Sequence, residues 1–301
     1  MHISRLVFPT GGLDTFVHDI VTCEQAGFHG AWVPQIFGWD ALTALAMAGG
    51  RTTSLRLGTA VLPVYPMHPV VLAQSAMTTQ AAAGGRFTLG LGTSHRFVVE
   101  NVWGMDFERP RHRMAEFLRI VVPAMAGADV EFRGEELSAT TLRPLELPGI
   151  EPPDIVLAAM GPAMLRLAGA HVDGTVTWMT GVRTITEHIV PTIAAAAEHA
   201  QRPTPRVIAG LPVCVTDNPA AARDAARREF AAYNDVPSYR AMLDREGFTH
   251  AGDAALIGSA DEVLDLIGEV AGAGATELCA NIFGSPDERA ATIEVLGRGL
   301  G

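Results

Sequence analysis

The sequence predicts an α/β protein that folds as a single (β/α)8 barrel, a TIM barrel, with insertions. Its 301 residues suit one barrel of ~250 residues with added segments. Short runs that are apolar at nearly every position alternate with longer helical runs, which is typical of parallel strands buried on both faces. Eight such apolar runs occur, so residues 1–301 are interpreted as one barrel domain with its chemistry at the carboxyl ends of the strands.

The predicted strands and helices follow each other along the chain. The strands cover residues 3–8, 30–33, 56–62, 87–91, 154–158, 174–177, 207–215 and 277–282. The helices cover residues 14–26, 41–48, 69–83, 111–126, 163–170, 184–200, 219–234 and 261–271. Residue types that cap helix N-termini stand at three of the predicted starts, namely Asp14, Asp40 and Ser259.

Two segments interrupt this alternation. Residues 127–153, between the fourth and fifth strands, are rich in proline and predict a small hairpin followed by a loop. Residues 235–258, between the seventh and eighth strands, include Tyr239 and Phe248 and predict an additional helix that forms a lid. Because long loops in compact domains usually serve function, this second segment is a candidate part of the site.

Charge, cysteine and histidine patterns argue against several classes of function. The chain has 33 acidic and 22 basic residues, a net charge of -11, and lacks the basic cluster that neutralises nucleic-acid phosphates. Its three cysteines lack C-x-x-C spacing, which favours reduced thiols, and its ten histidines form no H-x-x-x-H motif, so no metal site is predicted. No long apolar run follows a basic start at the N-terminus, so neither a signal peptide nor a membrane span is expected, and the predicted location is cytoplasmic.

Two loops at predicted strand ends carry residues suited to ligand binding. At the end of the fourth strand, Gly90 and Gly92 let backbone N–H groups approach a ligand, and Thr93 and Ser94 add hydroxyl groups. A plain tight turn uses the same residue types. After the fifth strand, residues 158–162 are small and lead into a helix whose N-terminus can bind an anion. Because the two strands are neighbours in a barrel, both loops would flank one phosphate-bearing ligand.

His95 follows these glycines and is the candidate group for proton transfer. An imidazole with an ordinary pKa of ~6.5 can give or take a proton near neutrality. The alternative interpretation is a loop histidine that hydrogen-bonds to the backbone. The chain has no G-x-S-x-G motif, which argues against the commonest serine hydrolases.

Four sequence blocks, in their order and spacing, resemble the luciferase-like monooxygenase superfamily. The blocks are RLGTAVLPVYPMHP, LAQSAMTT, GGRFTLGLGTSH and ERPRHRMAEFL. Within that superfamily they are most similar to the oxidoreductases that use the deazaflavin coenzyme F420. The resemblance continues upstream through GAWVPQIF and downstream through PPDIVLAAMGPAMLRLAGAHVDGTV, and it becomes thin after about residue 200.

The resemblance implies a barrel, commonly a homodimer, that holds cofactor and substrate at the carboxyl ends of its strands. In the F420 branch a non-prolyl cis peptide bond backs the deazaflavin ring, and the matching residues here are Ala60 and Val61. Gln35 would face the polar edge of the ring. Thr93 and Ser94 would line the cofactor. The phosphate of the cofactor tail would be held by the backbone N–H groups of three residues, Ala159, Met160 and Gly161.

One departure from the family pattern bears on the substrate. The sugar-phosphate dehydrogenases of the branch carry an Asp-His pair after strand two and a Glu after strand four, whereas this chain has Gln35-Ile36 and His95. Ile36 and Trp39 make that wall apolar, which favours a small hydrophobic organic substrate. Trp178, after strand six, would stack on cofactor or substrate, or else close the barrel rim.

The sequence therefore leaves three functional hypotheses in order of preference. The first is hydride transfer between F420 and a small organic substrate, with His95 as the proton partner. The second is a monooxygenase in which the same barrel uses reduced FMN and molecular oxygen. The third is a barrel that binds a cofactor without catalysis, because a fold does not fix a function.

Overall fold

Eight parallel strands close into a barrel in the computed structural model, which describes residues 1–299. Each strand pairs with the next one in chain order, and the eighth pairs with the first. This confirms the predicted TIM barrel. The strands are β1 (His2–Leu6), β2 (Gly30–Val33), β3 (Arg56–Thr59), β4 (Phe87–Gly92), β5 (Asp154–Ala158), β6 (Gly174–Trp178), β7 (Arg206–Val215) and β8 (Glu277–Ile282).

Helices surround the barrel, and most lie within a few residues of the predicted positions. The helix α1 begins at Leu13 after Gly12, so Asp14 stands in its first turn and the prediction of Asp14 as the cap is wrong. Asp40 and Ser259 are N-caps as predicted. The α-helices are α1 (Leu13–Gln25), α2 (Ala41–Gly49), α3 (Pro69–Ala82), α4 (Pro110–Met125), α5 (Pro162–His171), α6 (Val182–Thr184), α7 (Val190–His199), α8 (Pro219–Glu229), α9 (Pro237–Glu246), α10 (Ala260–Gly272) and α11 (Pro286–Gly297).

The third strand differs from its prediction, because it is interrupted. β3 ends at Thr59, and Leu62–Pro63 forms a separate short strand that pairs with the end of β4. Between them the Ala60–Val61 peptide bond is cis, as the resemblance implies. Thr59 Oγ1 accepts the N–H of Gly90 at 2.8 Å and donates to its carbonyl at 2.9 Å. These side-chain hydrogen bonds join β3 to β4 at the interruption.

The hydrophobic core has two layers, one between barrel and helices and one inside the barrel. The inner layer consists of Leu6, Trp32, Val156, Val176, Ile208 and Cys279. A buried polar group closes the amino end of the barrel below this layer. The Glu277 carboxylate accepts hydrogen bonds from Ser4 Oγ at 2.6 Å, Trp32 Nε1 at 2.7 Å and Arg206 at 2.9 Å. We name these four side chains the amino-end plug, and they leave space for a ligand only at the carboxyl end.

The two interrupting segments are held onto the barrel by backbone hydrogen bonds to carboxylates. In residues 127–153, Glu131–Arg133 and Ser138–Thr140 pair as an antiparallel hairpin. The Glu116 carboxylate on α4 accepts the backbone N–H groups of its connecting turn at 2.8, 2.9 and 2.8 Å, namely those of Glu135, Glu136 and Leu137. In residues 235–258, which include α9, Glu246 accepts the N–H of Thr184 at 2.5 Å.

Within residues 1–299, no helix combines the length and the apolar character that crossing a bilayer requires. In the same range, no group of three His, Cys, Asp or Glu side chains is arranged to hold a metal ion.

Candidate functional site

A cavity of about 610 Å³ opens at the carboxyl end of the barrel. Its volume lies within the ~300–1,000 Å³ usual for small-molecule sites. Leu6, Val176 and Cys279 of the inner core layer form its floor. The walls come from the loops after the strands and from the lid, so the cavity lies where the sequence places the chemistry.

Eight of the twelve predicted site residues line this cavity. They stand at the ends of five different strands or in the loops that follow, and they are Gln35, Ile36, Ala60, Val61, Ser94, His95, Met160 and Trp178. The chain segments that carry them are far apart in sequence, and closure of the barrel brings them together.

The other four predicted residues do not line the cavity. Trp39 is 43% exposed and its indole N–H donates to the Gly11 carbonyl at 3.0 Å. Ala159 is buried, and its N–H donates to Thr175 Oγ1 at 3.3 Å, so that N–H already has a partner. Thr93 is half-buried. Gly161 is exposed and is the N-cap of α5, where no side chain caps the helix.

Gln35 is held by its own loop. Its Oε1 accepts the N–H of Ala41 at 2.8 Å, at the first residue of α2. Its Nε2 approaches the Ile36 carbonyl at 3.4 Å. The amide oxygen of Gln35 is therefore occupied in holding the loop after β2. The amide N–H₂ group of the same side chain is the part that a ligand can engage.

An aromatic cluster of Trp178, Tyr233 and Tyr239 forms one side of the cavity. The hydroxyl of Tyr239 on α9 lies 3.5 Å from Nε2 of His95. The Tyr239 ring packs edge-on against Tyr233 at 5.2 Å, and Tyr233 packs edge-on against Trp178 at 5.8 Å. Tyr239 was recognised as part of a lid, but no local pattern indicates which lid side chain enters the barrel.

Burial keeps the ionisable members of this cluster uncharged. It lowers the pKa of His95, which favours the neutral imidazole at pH 7. It raises the pKa of Tyr239 and of Tyr233, so both phenols keep their protons. The nearby Trp178 indole N–H partly offsets the rise for Tyr233, yet that N–H is buried and makes no hydrogen bond of ordinary geometry within residues 1–299.

The cavity lining carries little charge. Asp40 is its one carboxylate among the described lining residues, and its oxygen accepts the Thr43 N–H at 2.8 Å as the cap of α2. No arginine lines the cavity within the described part of the chain. At the rim, Ile36 is 49% exposed and Phe37 is 77% exposed. An apolar cavity without a cationic side chain favours a neutral, hydrophobic ligand over an anionic one.

A model of the family described as luciferase-like monooxygenase matches residues 8–277. An F420-dependent hydroxymycolic acid dehydrogenase of Mycobacterium tuberculosis is 31% identical over 239 residues, which cover 73% of this chain and 64% of that protein. A 5,10-methylenetetrahydromethanopterin reductase of Methanolobus tindarius is 28% identical over 296 residues, which cover 96% of this chain and 88% of the relative.

Solved structures share the fold at low sequence identity. The coenzyme F420-dependent tetrahydromethanopterin reductase from Methanopyrus kandleri matches with a TM-score of 0.83 and 21% identity, over 99% of this chain and 98% of that chain. The oxygenating constituent of 3,6-diketocamphane monooxygenase from Pseudomonas putida, in complex with FMN, matches with a TM-score of 0.78 and 15% identity, over 99% and 98% of the two chains. At these identities the likeness shows the fold alone.

Proposed function

Because the chain belongs to the luciferase-like monooxygenase family, we propose that it is an oxidoreductase that transfers a hydride between coenzyme F420 and a small apolar organic substrate. The observation that carries the proposal is the cavity of about 610 Å³, in which Ala60 and Val61 form an apolar wall and His95 supplies a proton-transfer group. Relatives named as F420-dependent enzymes support the choice of cofactor.

The residues of the cavity fit a deazaflavin ring, which has flat apolar faces and a polar edge. Ala60 and Val61 give a wall without polar side-chain atoms. The Gln35 amide N–H₂ group offers a donor to a ring oxygen. When bound, F420 supplies or accepts the hydride.

The protein's own residues would orient the reactants, exclude water and move one proton. Tyr233 and Tyr239 cover the cavity from the lid side and limit access of water. A hydride transfer at a carbon that bears oxygen requires a proton transfer at that oxygen, and the neutral imidazole of His95 can accept that proton. Gly161 and Met160, at the uncapped N-terminus of α5, would bind the anionic tail of the cofactor.

The proposed substrate is small, neutral and apolar. The absence of an arginine among the described lining residues leaves no side chain to pair with a phosphate or carboxylate of the substrate. The exposed faces of Ile36 and Phe37 at the rim give an apolar approach to the cavity. Gln35 and Ile36, which stand where the sugar-phosphate dehydrogenases carry an Asp-His pair, also line the cavity.

Titration of the purified protein with F420 and, separately, with FMN tests the proposal. We expect tighter binding of F420, measured by its absorbance or fluorescence change. Tighter binding of reduced FMN with oxygen consumption would instead support the second candidate, which the shared fold of the FMN-bound monooxygenase keeps open. Binding of neither cofactor contradicts both proposals.

A pair of matched variants ties the binding to this cavity. Val61→Trp fills the cavity and should abolish F420 binding, since Val61 lines it. Val71→Trp places the same bulk on the outer face of α3, where the side chain is 55% exposed, and should leave the affinity unchanged. Equal affinities of the two variants for F420 would place its binding site elsewhere.

A further inference from the structure

We infer that Tyr239, carried by the lid helix α9, is a positioning residue for His95. Its hydroxyl donates a hydrogen bond to Nε2 of His95, so that the proton of the neutral imidazole is held on Nδ1. Because Nε2 then has no second lone pair, a substrate proton would reach His95 through the Tyr239 hydroxyl, which passes its own proton to Nε2 as it accepts that of the substrate. This role of His95 rests on the proposed function, whereas the arrangement of the pair does not.

The geometry pairs these two side chains. The hydroxyl oxygen of Tyr239 lies 3.5 Å from His95 Nε2, and the two ring centroids are 5.5 Å apart at 62°. This separation is at the long end for a hydrogen bond, as is common in catalytic sites without ligand. Within residues 1–299, neither side chain has another hydrogen-bond partner. Both also line the cavity, so the pair faces the space in which a substrate would bind.

Contacts made by α9 and by the chain that follows it hold Tyr239 in place. At the carboxyl end, Glu246 accepts the backbone N–H of Thr184 at 2.5 Å. Near the middle, Arg240 donates to the carbonyl of Thr249 at 3.2 Å and so holds the chain that leaves the helix. Behind the phenol, Tyr233 packs edge-on and itself contacts Trp178. The hydroxyl therefore approaches His95 from a fixed direction.

The acidities of the two groups favour donation from the phenol to the imidazole, because a phenol O–H is the stronger donor and a neutral imidazole nitrogen the stronger acceptor. Burial keeps the Tyr239 phenol protonated and the His95 imidazole neutral near pH 7. A neutral imidazole has one lone pair, which accepts the phenol hydrogen at Nε2 and leaves the proton on Nδ1. The other titratable groups of the cavity lining are Tyr233, Asp40 and Cys279, and Arg96, which follows His95 in the chain, is paired with Glu100. Asp40 is engaged in capping α2.

The ¹⁵N NMR spectrum of histidine-labelled full-length protein tests the inference, with the His95 signals assigned by their loss in His95→Gln. We expect wild type to show the proton on Nδ1 and an acceptor signal from Nε2. Tyr239→Phe should change the tautomer ratio and raise the pKa of His95 by roughly 0.5–1 unit, because the donor to the neutral ring is lost. Tyr233→Phe is the matched control and should change neither quantity.

Two outcomes would overturn the inference. One is an unchanged His95 tautomer and pKa in folded Tyr239→Phe. The other is a wild-type spectrum in which Nε2 carries the proton, and this measurement decides the matter even where the variant does not fold. F420 titration of the same samples separates the two proposals. If wild-type protein does not bind F420, the proposed function is refuted. The NMR result alone decides the role of Tyr239.

Discussion

At the scale of single residues, two glycines of β4 serve a purpose that the sequence pattern does not reveal. Gly90 and Gly92 lie within the strand, where the sequence analysis expected either a ligand loop or a tight turn. A Cβ atom on Gly90 would lie 1.8 Å from the Thr59 carbonyl oxygen. On Gly92 it would lie 2.5 Å from Cγ2 of Val61. The missing side chains let the interrupted third strand approach β4 and set the position of the cavity wall.

This close approach predicts the effect of Gly92→Ala. The new methyl group should push the Val61 side chain into the cavity and weaken F420 binding by roughly tenfold or more, since overpacking costs about 1–3 kcal/mol. Gly268→Ala is the control, because a Cβ there meets nothing within 4 Å and the site lies in α10. We expect it to leave F420 affinity unchanged and to raise the free energy of unfolding by about 0.5–1 kcal/mol. Unchanged F420 affinity in Gly92→Ala would show that the Val61 side chain can move aside without narrowing the cavity, which contradicts this prediction.

At the scale of elements, the Glu116 carboxylate joins the hairpin insertion to α4, beside ion pairs that Arg109 and Arg113 form with the same turn. Burial acts to raise the pKa of Glu116, but the N–H groups of Glu135, Leu137 and Glu136 and the nearby His112 more than offset it, so the pKa is lower than usual. His112 Nε2 lies 2.9 Å from the carboxylate. Because the pKa is lower in the folded than in the unfolded protein, this stabilisation is full above the unfolded value and is lost as the pH falls through the folded one.

Glu116→Gln should therefore loosen the hairpin turn. A neutral amide cannot accept all three N–H groups, so we expect a loss of about 1–3 kcal/mol, measured by urea unfolding at pH 7. The difference from wild type should begin to shrink as the pH falls below about 4.5, where the unfolded carboxylate takes up its proton, and should vanish as the pH passes the lower pKa of the folded carboxylate. Glu146→Gln makes the same change at an exposed position of the same insertion and should have no effect. A pH-independent difference would argue against the ionised carboxylate as the cause.

The elements also show what the sequence could predict. Strands buried on both faces are apolar throughout, so all eight appeared in the pattern. The interruption of the third strand after Thr59 was not visible in the sequence, because the residues on both sides of it are as apolar as the strand. Helix α11 was missed, although Ser285 and Glu288 form a capping box that signals its start. His95 and Ser94 were found because they directly follow a strand. Tyr233 and Tyr239 were not, since tertiary packing of the lid brings them into the cavity.

At the scale of the whole molecule, the barrel interior is divided into a polar amino end and an open carboxyl end. Glu277 is 2% exposed and receives three hydrogen bonds in the amino-end plug. Barrel enzymes place stability at this end and chemistry at the opposite one. The homodimer expected from the resemblance stays a prediction, and sedimentation velocity would measure it.

Glu277→Ala tests the contribution of the plug to stability. Removing the carboxylate leaves the buried Ser4 and Trp32 donors without an acceptor and leaves Arg206 paired with Asp154 at 3.4 Å. We expect a loss of about 1–3 kcal/mol for each unsatisfied donor in urea unfolding. Glu294→Ala is the control, because Glu294 forms an exposed pair with Arg298 and should contribute at most about 1 kcal/mol. Similar losses for the two variants would show that the buried group does not stabilise the barrel.

The amino-end plug also determines where molecules enter and leave the barrel. Because the barrel is closed at its amino end, any molecule that reaches the floor formed by Leu6 and Cys279 enters and leaves through the rim at the carboxyl end. Whatever sits nearest that floor must arrive first and depart last. The order in which two reactants bind and leave is therefore set by how deep in the cavity each of them lies.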